Sequence, residues 1–208
     1  MPGFSDIADE LIQHGTSTLC EASGVAGAFD TALRPIWPGA TLVGSALPVR
    51  CSVGDNLAIH LAVAQASPGS VLVVDGQQYI GGYWGEILTV AAQQRGIAGL
   101  VIDGGVRDIA ALEKRRFPVF ARGVGMRACV KVSAPPASDT VVVAGVCVTR
   151  GDLIVADADG VCAIPAALVD KTLAAARRRT EREAAIMGRL QAGETTVQIL
   201  GLHDIGKN

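Results

Sequence analysis

The sequence has few aromatic residues and almost no net charge. Only 4% of its 208 residues are aromatic, and the formal net charge is −2. Proteins that bind nucleic-acid backbones usually carry a clear positive excess, so we expect no direct nucleic-acid binding. One segment does concentrate basic side chains, at Arg177, Arg178, Arg179 and Arg182. Because half of the residues are apolar, the chain can bury enough surface to fold, and a disordered protein is excluded.

Patterns typical of secreted, membrane and zinc-binding proteins are also missing. The sequence contains no run of eighteen apolar residues, and its first residues are acidic where a signal peptide is basic. The five cysteines are far apart and form neither a CxxC motif nor a zinc spacing. The histidines, His14, His60 and His203, are isolated and are expected on helix surfaces or in the tail. We therefore expect a cytoplasmic protein with no membrane association.

The middle third of the sequence alternates between short apolar runs and amphipathic segments. The runs at 71–74 and 100–102 predict buried strands, and the run at 117–120 predicts a third, short strand. Helices are predicted between them, at about 85–95 and 107–115. This β-α-β-α-β order favours an α/β fold with a parallel sheet core and helices packed against it.

The flanking regions predict further strands and helices within one domain that covers residues 1–208. Asp55 or Asn56 is placed to cap a helix that ends near Ala66. Pro165 opens a long helix to about residue 191, in a first turn where its missing N–H costs nothing. The sheet is expected to gain antiparallel or mixed strands from three other segments, at 41–53, 140–148 and 153–164.

Two glycine-rich segments follow the buried strands and carry the residues best suited to chemistry. The first leads into a predicted helix whose first turn is Gly85, Glu86, Ile87 and Leu88. Free N–H groups and the positive end of the helix dipole would bind a small anion such as a carboxylate there. Gly85 would let that ligand approach the backbone closely.

The second glycine-rich segment, AspGlyGlyVal, delivers Arg107 and Asp108 to the start of the next predicted helix. A guanidinium group suits a carboxylate or an enolate oxygen, and a single carboxylate with waters and substrate oxygens often holds Mg²⁺. An Asp in a first helical turn is also common without any function, as is an Arg in a surface ion pair. Lys114 and Lys131 lie outside the two segments, which argues against a Schiff base.

The stretch from Gly81 to Asp108 resembles the RraA-like family, which includes class II pyruvate aldolases. The family pattern is an acidic residue, twenty residues and then ArgAsp, matched here by Glu86 and by Arg107 with Asp108. The family's aldolases have Asp at the acidic position, so Glu86 departs from them by one methylene. Similar segments extend over most of the chain: GDNLAIHLAVAQASPGSVLVVDG, VIDGGVRD, FPVFARG and GDLIVADADGV.

This resemblance implies a fold like that of a swivelling phosphohistidine domain, a layered sandwich assembled into trimers or hexamers. It implies that Asp108 binds Mg²⁺ or Mn²⁺, and that Arg107 stabilises a pyruvate enolate. The acidic groups of Glu86 and of a neighbour's Glu183, or else Glu181, would orient metal-bound waters. The helix of residues 165–191 would then lie at a subunit interface, and Ile87 and Leu88 would bind the substrate carboxylate.

Other functions are open on the same resemblance. The founding branch of the family binds and inhibits a ribonuclease and needs no metal site. A dedicated decarboxylase acting on another 2-oxo acid is a second alternative. A methyltransferase is disfavoured because no glycine-rich cofactor loop is apparent. For an aldolase, Arg34, Arg122 and Arg127 are the candidates to meet a second substrate carboxylate.

Overall fold

A seven-stranded mixed sheet organises the protein, whose computed structural model describes residues 4–202. The strand order in the sheet is β1-β5-β4-β3-β2-β8-β9, and β6 with β7 forms a separate hairpin. The strands are β1 (Arg34–Pro35), β2 (Leu42–Arg50), β3 (Ser70–Asp75), β4 (Gly99–Val106), β5 (Val119–Val124), β6 (Thr140–Val143), β7 (Val146–Thr149), β8 (Leu153–Asp157) and β9 (Gly160–Ile164).

Seven α-helices and two short 3-10 helices surround these strands in the described residues. The α-helices are α1 (Ala8–His14), α2 (Thr16–Ser23), α3 (Leu57–Gln65), α4 (Glu86–Gln94), α5 (Ile109–Lys114), α6 (Val169–Gln191) and α7 (Thr196–Leu200). The 3-10 helices are Phe4–Ile7 and Ala166–Leu168. None of the helices between residues 4 and 202 has the length and apolar character that crossing a bilayer requires. His203 lies outside the described residues.

The predicted β-α-β-α-β unit forms the centre of the sheet as β3-α4-β4-α5-β5. Its three strands pair in parallel, and β2 joins β3 in parallel as well. Every residue of β4 is buried, because helices and loops cover both of its faces. The flanking strands β8, β9 and β1 are antiparallel to their neighbours. The expected α/β fold with mixed flanks is therefore confirmed.

The two edges of the sheet approach each other, which gives it a barrel-like form. The guanidinium of Arg34, in edge strand β1, donates hydrogen bonds to the carbonyls of Ala158 and Asp159 at 3.1 and 3.0 Å. Those carbonyls lie in the turn between β8 and β9, at the opposite edge. Arg34 therefore closes the sheet and is not available to a substrate carboxylate.

Several predicted boundaries were wrong. AspGlyGlyVal, predicted as a loop, is the second half of β4, and a register shift after Ile102 lets the chain continue in the sheet. The helix predicted from Arg107 begins two residues later, at Ile109. The two long β segments are hairpins, β6-β7 and β8-β9, because Ala144 and Gly145 turn the first and Ala158 and Asp159 the second.

Helix α6 has a buried half and an exposed half. Its first turns, including Val169, Leu173 and Ala176, pack with α2 in a second apolar cluster. Beyond these turns the helix is mostly exposed, and arginines of the basic segment pair with acidic side chains: Arg177 with Glu10, and Arg179 with Glu21. This basic segment is therefore partly neutralised within the chain.

Candidate functional site

Two glycine-rich segments lie side by side at the carboxyl end of the sheet. The segment 81–85 has no regular secondary structure, but its backbone forms hydrogen bonds with the neighbouring backbone of residues 105–107. The Tyr83 N–H donates to the carbonyl of Gly105 at 3.1 Å, and the Arg107 N–H donates to that of Trp84 at 2.9 Å. A Cβ on Gly105 would lie 2.6 Å from the carbonyl oxygen of Gly81, so this approach requires glycine.

Two buried aromatic residues anchor the first segment. The Tyr83 hydroxyl accepts a hydrogen bond from the Gly54 N–H at 2.7 Å, and burial raises its pKa to about 12. Trp84 stacks on Phe117 with ring centroids 5.7 Å apart, and its Nε1 donates to the Thr89 hydroxyl in α4 at 2.7 Å. These contacts fix the start of α4 relative to β4.

Asp108 joins the two segments through its side chain. Its Oδ2 accepts a hydrogen bond from the Glu86 N–H, the first of α4, at 3.0 Å. A Cβ on Gly85 would lie 2.4 Å from that oxygen, so only glycine leaves room for the carboxylate. The backbone of Asp108 is left-handed, with φ of 61°, a conformation that Asp tolerates better than most residues. This conformation separates β4 from α5.

Arg107 lies beside Asp108, but their side chains form only a long ion pair. Its Nε is 3.8 Å from Asp108 Oδ2, and the two side chains are 43% and 42% exposed. A surface pair of this kind contributes little to stability. Both groups therefore keep donor and acceptor capacity for a ligand.

A cavity of about 150 Å³ opens between the start of α4 and the Arg107–Asp108 pair. Five of the predicted site residues line it: Gly85, Ile87, Leu88, Arg107 and Asp108. The two segments singled out in the sequence thus face one space. The N–H groups of Ile87 and Leu88 belong to the first turn of α4, where a helix has no internal acceptors for them.

Other predicted residues do not line this cavity. The Glu86 carboxylate is held by Arg115, with an Arg115 Nη2 to Glu86 Oε1 distance of 2.8 Å. Glu183 pairs with Arg179 on α6, at 2.7 Å, and Glu181 is exposed on the same helix. Within one chain, the carboxylates of Glu86 and Glu183 are therefore each paired with an arginine, and neither residue lines the cavity.

The arginines considered for a second carboxylate are also elsewhere. Arg122 forms an ion pair with the buried Asp103. Both residues line a different cavity from the one beside Arg107. The hydrogen bond that Arg122 donates to the Asp103 carboxylate raises the pKa of Arg122. Arg127 contributes its carbonyl to the Gly82 N–H at 2.8 Å and does not line the cavity either.

Sequence reasoning missed three polar residues of the cavity: Asn56, His60 and Lys131. Asn56 and His60 are four residues apart and share one face of the start of α3. Lys131 reaches the cavity because the Val130 N–H bonds to the carbonyl of Gly54, which precedes α3. The i,i+4 spacing was a readable signal, whereas the position of Lys131 depends on this long-range pairing.

His60 lies in the same wall as Lys131. Burial, and secondarily the Lys131 ammonium, lowers the pKa of His60 from its ordinary value. His60 was expected on a helix surface, but it is half-buried at the cavity. Near neutral pH its ring is thus neutral, while Lys131 and Arg107 supply positive charge.

Comparison with known proteins adds the family. The family model described as RraA-like, Aldolase/RraA, matches residues 6–163, more than half of the chain. The chain belongs to the RraA-like family. A protein of Halalkalibacterium halodurans is 36% identical over 148 residues, which cover 71% of this chain and 70% of that protein. Its name, 4-hydroxy-4-methyl-2-oxoglutarate aldolase, is itself provisional.

Two solved structures have the same fold as this chain. An uncharacterised protein of Pseudomonas syringae pv. tomato aligns with a TM-score of 0.81 at 28% identity, covering 93% of this chain and 96% of that one. The RNA-processing inhibitor RraA of Thermus thermophilis aligns with a TM-score of 0.66 at 25% identity, covering 72% and 92%. The family thus contains proteins named for catalysis and proteins named for regulation.

A likeness to the aldolases of the RraA-like family would imply a divalent metal. The residues of this site fit a metal that is held by one protein carboxylate, with waters and substrate oxygens as its other ligands. Among residues 4–202, no group of three His, Cys, Asp or Glu side chains could enclose a metal. Mg²⁺ does not need such a cage, because it keeps several waters and binds one or two carboxylates with substrate oxygens. Asp108 provides one half-exposed carboxylate with an oxygen beyond the one bonded to Glu86.

Proposed function

We propose that this RraA-like protein is a divalent-metal-dependent pyruvate aldolase. Its substrates would be 4-hydroxy-2-oxo acids such as 4-hydroxy-4-methyl-2-oxoglutarate or 4-carboxy-4-hydroxy-2-oxoadipate, which yield pyruvate and a second carbonyl product. Oxaloacetate decarboxylation would be a side activity, since it passes through the same enolate. The observation that carries the proposal is the shared cavity of the α4 N-terminus, Arg107 and Asp108.

The cavity supports binding of a small 2-oxo acid by its carboxylate. The first-turn N–H groups of Ile87 and Leu88 are free to donate to it, and the helix dipole favours its charge. Arg107 and Lys131 line the same space and add positive charge. A dianionic substrate would therefore be attracted, whereas a neutral or cationic one would not.

The reaction breaks the bond between C3 and C4 of the substrate. Its electron pair becomes part of the pyruvate enolate, while the C4 hydroxyl gives its proton to water and becomes a carbonyl. The enolate then takes up a proton at C3 to give pyruvate, so no net proton is gained or lost. Arg107 would donate to the enolate oxygen as negative charge develops, which is where a fixed donor contributes most. Asp108 would hold Mg²⁺ or Mn²⁺, which when bound supplies Lewis-acid polarisation of the 2-oxo group.

Assembly would complete the site. We include in the proposal a trimer or hexamer in which the exposed half of α6 brings Glu183, or Glu181, to a neighbouring cavity. Both glutamates lie on the exposed half of α6 and off the cavity of their own chain. Glu183 would have to give up its ion pair with Arg179. This would cost little free energy, because both side chains are partly exposed and such pairs are weak.

The deciding experiment measures pyruvate release from a panel of 4-hydroxy-2-oxo acids and from oxaloacetate. Activity is expected with added Mg²⁺, to be abolished by EDTA and restored by excess Mg²⁺. Rates that survive thorough chelation would remove Asp108 as a metal ligand. A protein that releases no pyruvate from any member of the panel would end the aldolase proposal.

A second candidate function rests on the likeness to the Thermus RNA-processing inhibitor. In that case the protein would bind and inhibit a ribonuclease, and the cavity beside Arg107 would have no catalytic role. Ribonuclease inhibition without pyruvate release would favour this regulator. Pyruvate release that depends on Mg²⁺ and Arg107 would favour the aldolase.

A further inference from the structure

Asn56 occupies an unusual place at the start of α3. It is the residue before the helix, where Asn often caps, but its side chain makes no capping hydrogen bond. The preceding residue, Asp55, does this instead, because its Oδ1 accepts from the Leu57 N–H at 2.9 Å. The helix therefore does not use the Asn56 side chain, and Asn56 is one of the residues that line the cavity.

The orientation of the Asn56 amide is fixed by its neighbours. Its Nδ2 donates to the carbonyl of Tyr83 at 2.9 Å, a partner that only the NH₂ group can serve. Its own backbone N–H donates to the carbonyl of Val130 at 3.0 Å. The remaining polar atom of the side chain must then be the oxygen, Oδ1.

Oδ1 is a buried acceptor without a donor. Asn56 is only 6% exposed, and none of the residues from 4 to 202 donates a hydrogen bond to this oxygen. A buried polar atom left unpaired costs about 1–3 kcal/mol, so such atoms in native proteins usually have a partner. Asn56 borders the cavity, so an occupant that reaches Oδ1 can supply the missing donor.

The chemistry of the site identifies the missing donor. Arg107, Lys131 and the α4 N–H groups are all donors and call for carboxylate and keto oxygens. A 4-hydroxy-2-oxo acid at neutral pH offers those oxygens as acceptors, and its C4 hydroxyl is its one strong donor. We propose that Asn56 Oδ1 accepts the hydrogen bond of the substrate C4 hydroxyl and selects hydroxylated substrates. This inference rests on the proposed aldolase function.

The test compares two substrates that differ at C4. Oxaloacetate carries no C4 hydroxyl, whereas 4-hydroxy-4-methyl-2-oxoglutarate does. The quantity to measure is the ratio of kcat/KM for aldol cleavage to kcat/KM for oxaloacetate decarboxylation, with Mg²⁺ present. In Asn56→Ala this ratio is expected to fall about tenfold, the effect of losing one hydrogen bond that oxaloacetate never makes.

A conservative variant separates ligand recognition from a structural role. Asn56→Asp keeps an acceptor oxygen but loses the donor to Tyr83, so its ratio is expected to stay near that of the wild type. Charge effects cancel in the ratio because both substrates are dianions. Competitive inhibition by 2-oxoglutarate, which lacks the hydroxyl, is expected to weaken no more than oxaloacetate turnover in Asn56→Ala.

The outcomes distinguish the two levels of the argument. Equal losses on both substrates in Asn56→Ala and Asn56→Asp would make Asn56 a structural residue and overturn the inference, leaving the aldolase function intact. A wild-type protein inactive on both substrates would overturn the proposed function itself and this inference with it. If Asn56→Ala does not fold, Asn56→Ser replaces it, with the same expected fall in the ratio.

Discussion

Two Arg–Asp pairs lie near the carboxyl ends of β4 and β5, and they differ in how completely they are satisfied. In the first, Arg122 contacts the Asp103 side chain, which is only 6% exposed and also accepts from the Ala144 N–H at 3.2 Å. In the second, Arg107 is 3.8 Å from Asp108, and both side chains are about two-fifths exposed. Residue type alone would not separate them.

The difference lies in the capacity for hydrogen bonding that each pair leaves unused. The Asp103 pair is closed, because both carboxylate oxygens have partners and the arginine faces its own acid. The Asp108 pair is open, because one oxygen binds the Glu86 N–H and the guanidinium faces a cavity. We therefore expect the first pair to contribute mainly to stability and the second mainly to ligand binding and turnover.

The largest expected effect is on turnover, in Arg107→Ala. We expect kcat for pyruvate formation to fall at least about 10²-fold, as when one donor to a developing oxyanion is removed. The free energy of unfolding should hardly change, because the pair is exposed and loose. Steady-state kinetics and urea unfolding measure the two quantities.

Arg150→Ala is the matched control, since Arg150 forms an exposed pair with Asp139 away from the Arg107 cavity. It should leave both turnover and stability near wild-type values. Arg107→Ala with near-normal kcat would contradict the role assigned to the open pair.

The next effect is on stability, in Asp103→Ala. This change leaves the Arg122 guanidinium and the Ala144 N–H without their acceptor. Losing one partner of a buried pair costs a few kcal/mol, and because Arg122 is partly exposed we expect a decrease of roughly 2–3 kcal/mol in the free energy of unfolding. Urea denaturation measures it, with Asp139→Ala as the exposed counterpart. A loss no larger than that of Asp139→Ala would mean that the closed pair does not stabilise the fold.

The sequence predicted the sheet core and one wall of the cavity because both depend on local pattern. The apolar runs of β3 and β4 and the GlyGluIleLeu turn of α4 are contiguous, so periodicity locates them. The second wall depends on pairings between distant segments, such as that of Gly54 with Val130, which no local pattern encodes. The length of β4 was missed because its glycines, which usually indicate a loop, here allow close packing against residues 80–81.

A third, smaller effect tests the contact between the two segments of the open site. In Gly85→Ala the new Cβ would lie 2.4 Å from Asp108 Oδ2, so the carboxylate must move. We expect about a tenfold fall in kcat/KM and a higher Mg²⁺ concentration for half-maximal activity, since misplaced catalytic groups cost rate steeply. Kinetics at varied Mg²⁺ measure both.

Gly123→Ala is the control for that substitution. Gly123 lies in β5 and off the cavity lining, and a Cβ there would contact only carbon atoms of Ile80, at 3.6 and 3.8 Å. This variant should keep near-wild-type kcat/KM and the same Mg²⁺ requirement. If Gly85→Ala is as active as Gly123→Ala, the close approach of Asp108 to Gly85 has no functional role.

The smallest expected effect is electrostatic and concerns the wall opposite the open pair. Burial is the larger cause of the lowered pKa of His60, and the Lys131 ammonium is the smaller one. As the pH falls, the unfolded chain therefore binds a proton at His60 at a higher pH than the folded chain does. His60 therefore lowers stability below the ordinary histidine pKa and has no such effect above it. In an NMR titration its midpoint should lie below that of the urea-unfolded chain, and Lys131→Met should raise it. Because burial is the larger cause, the rise should be partial. A midpoint at or above the unfolded value would contradict the burial of His60 at the cavity.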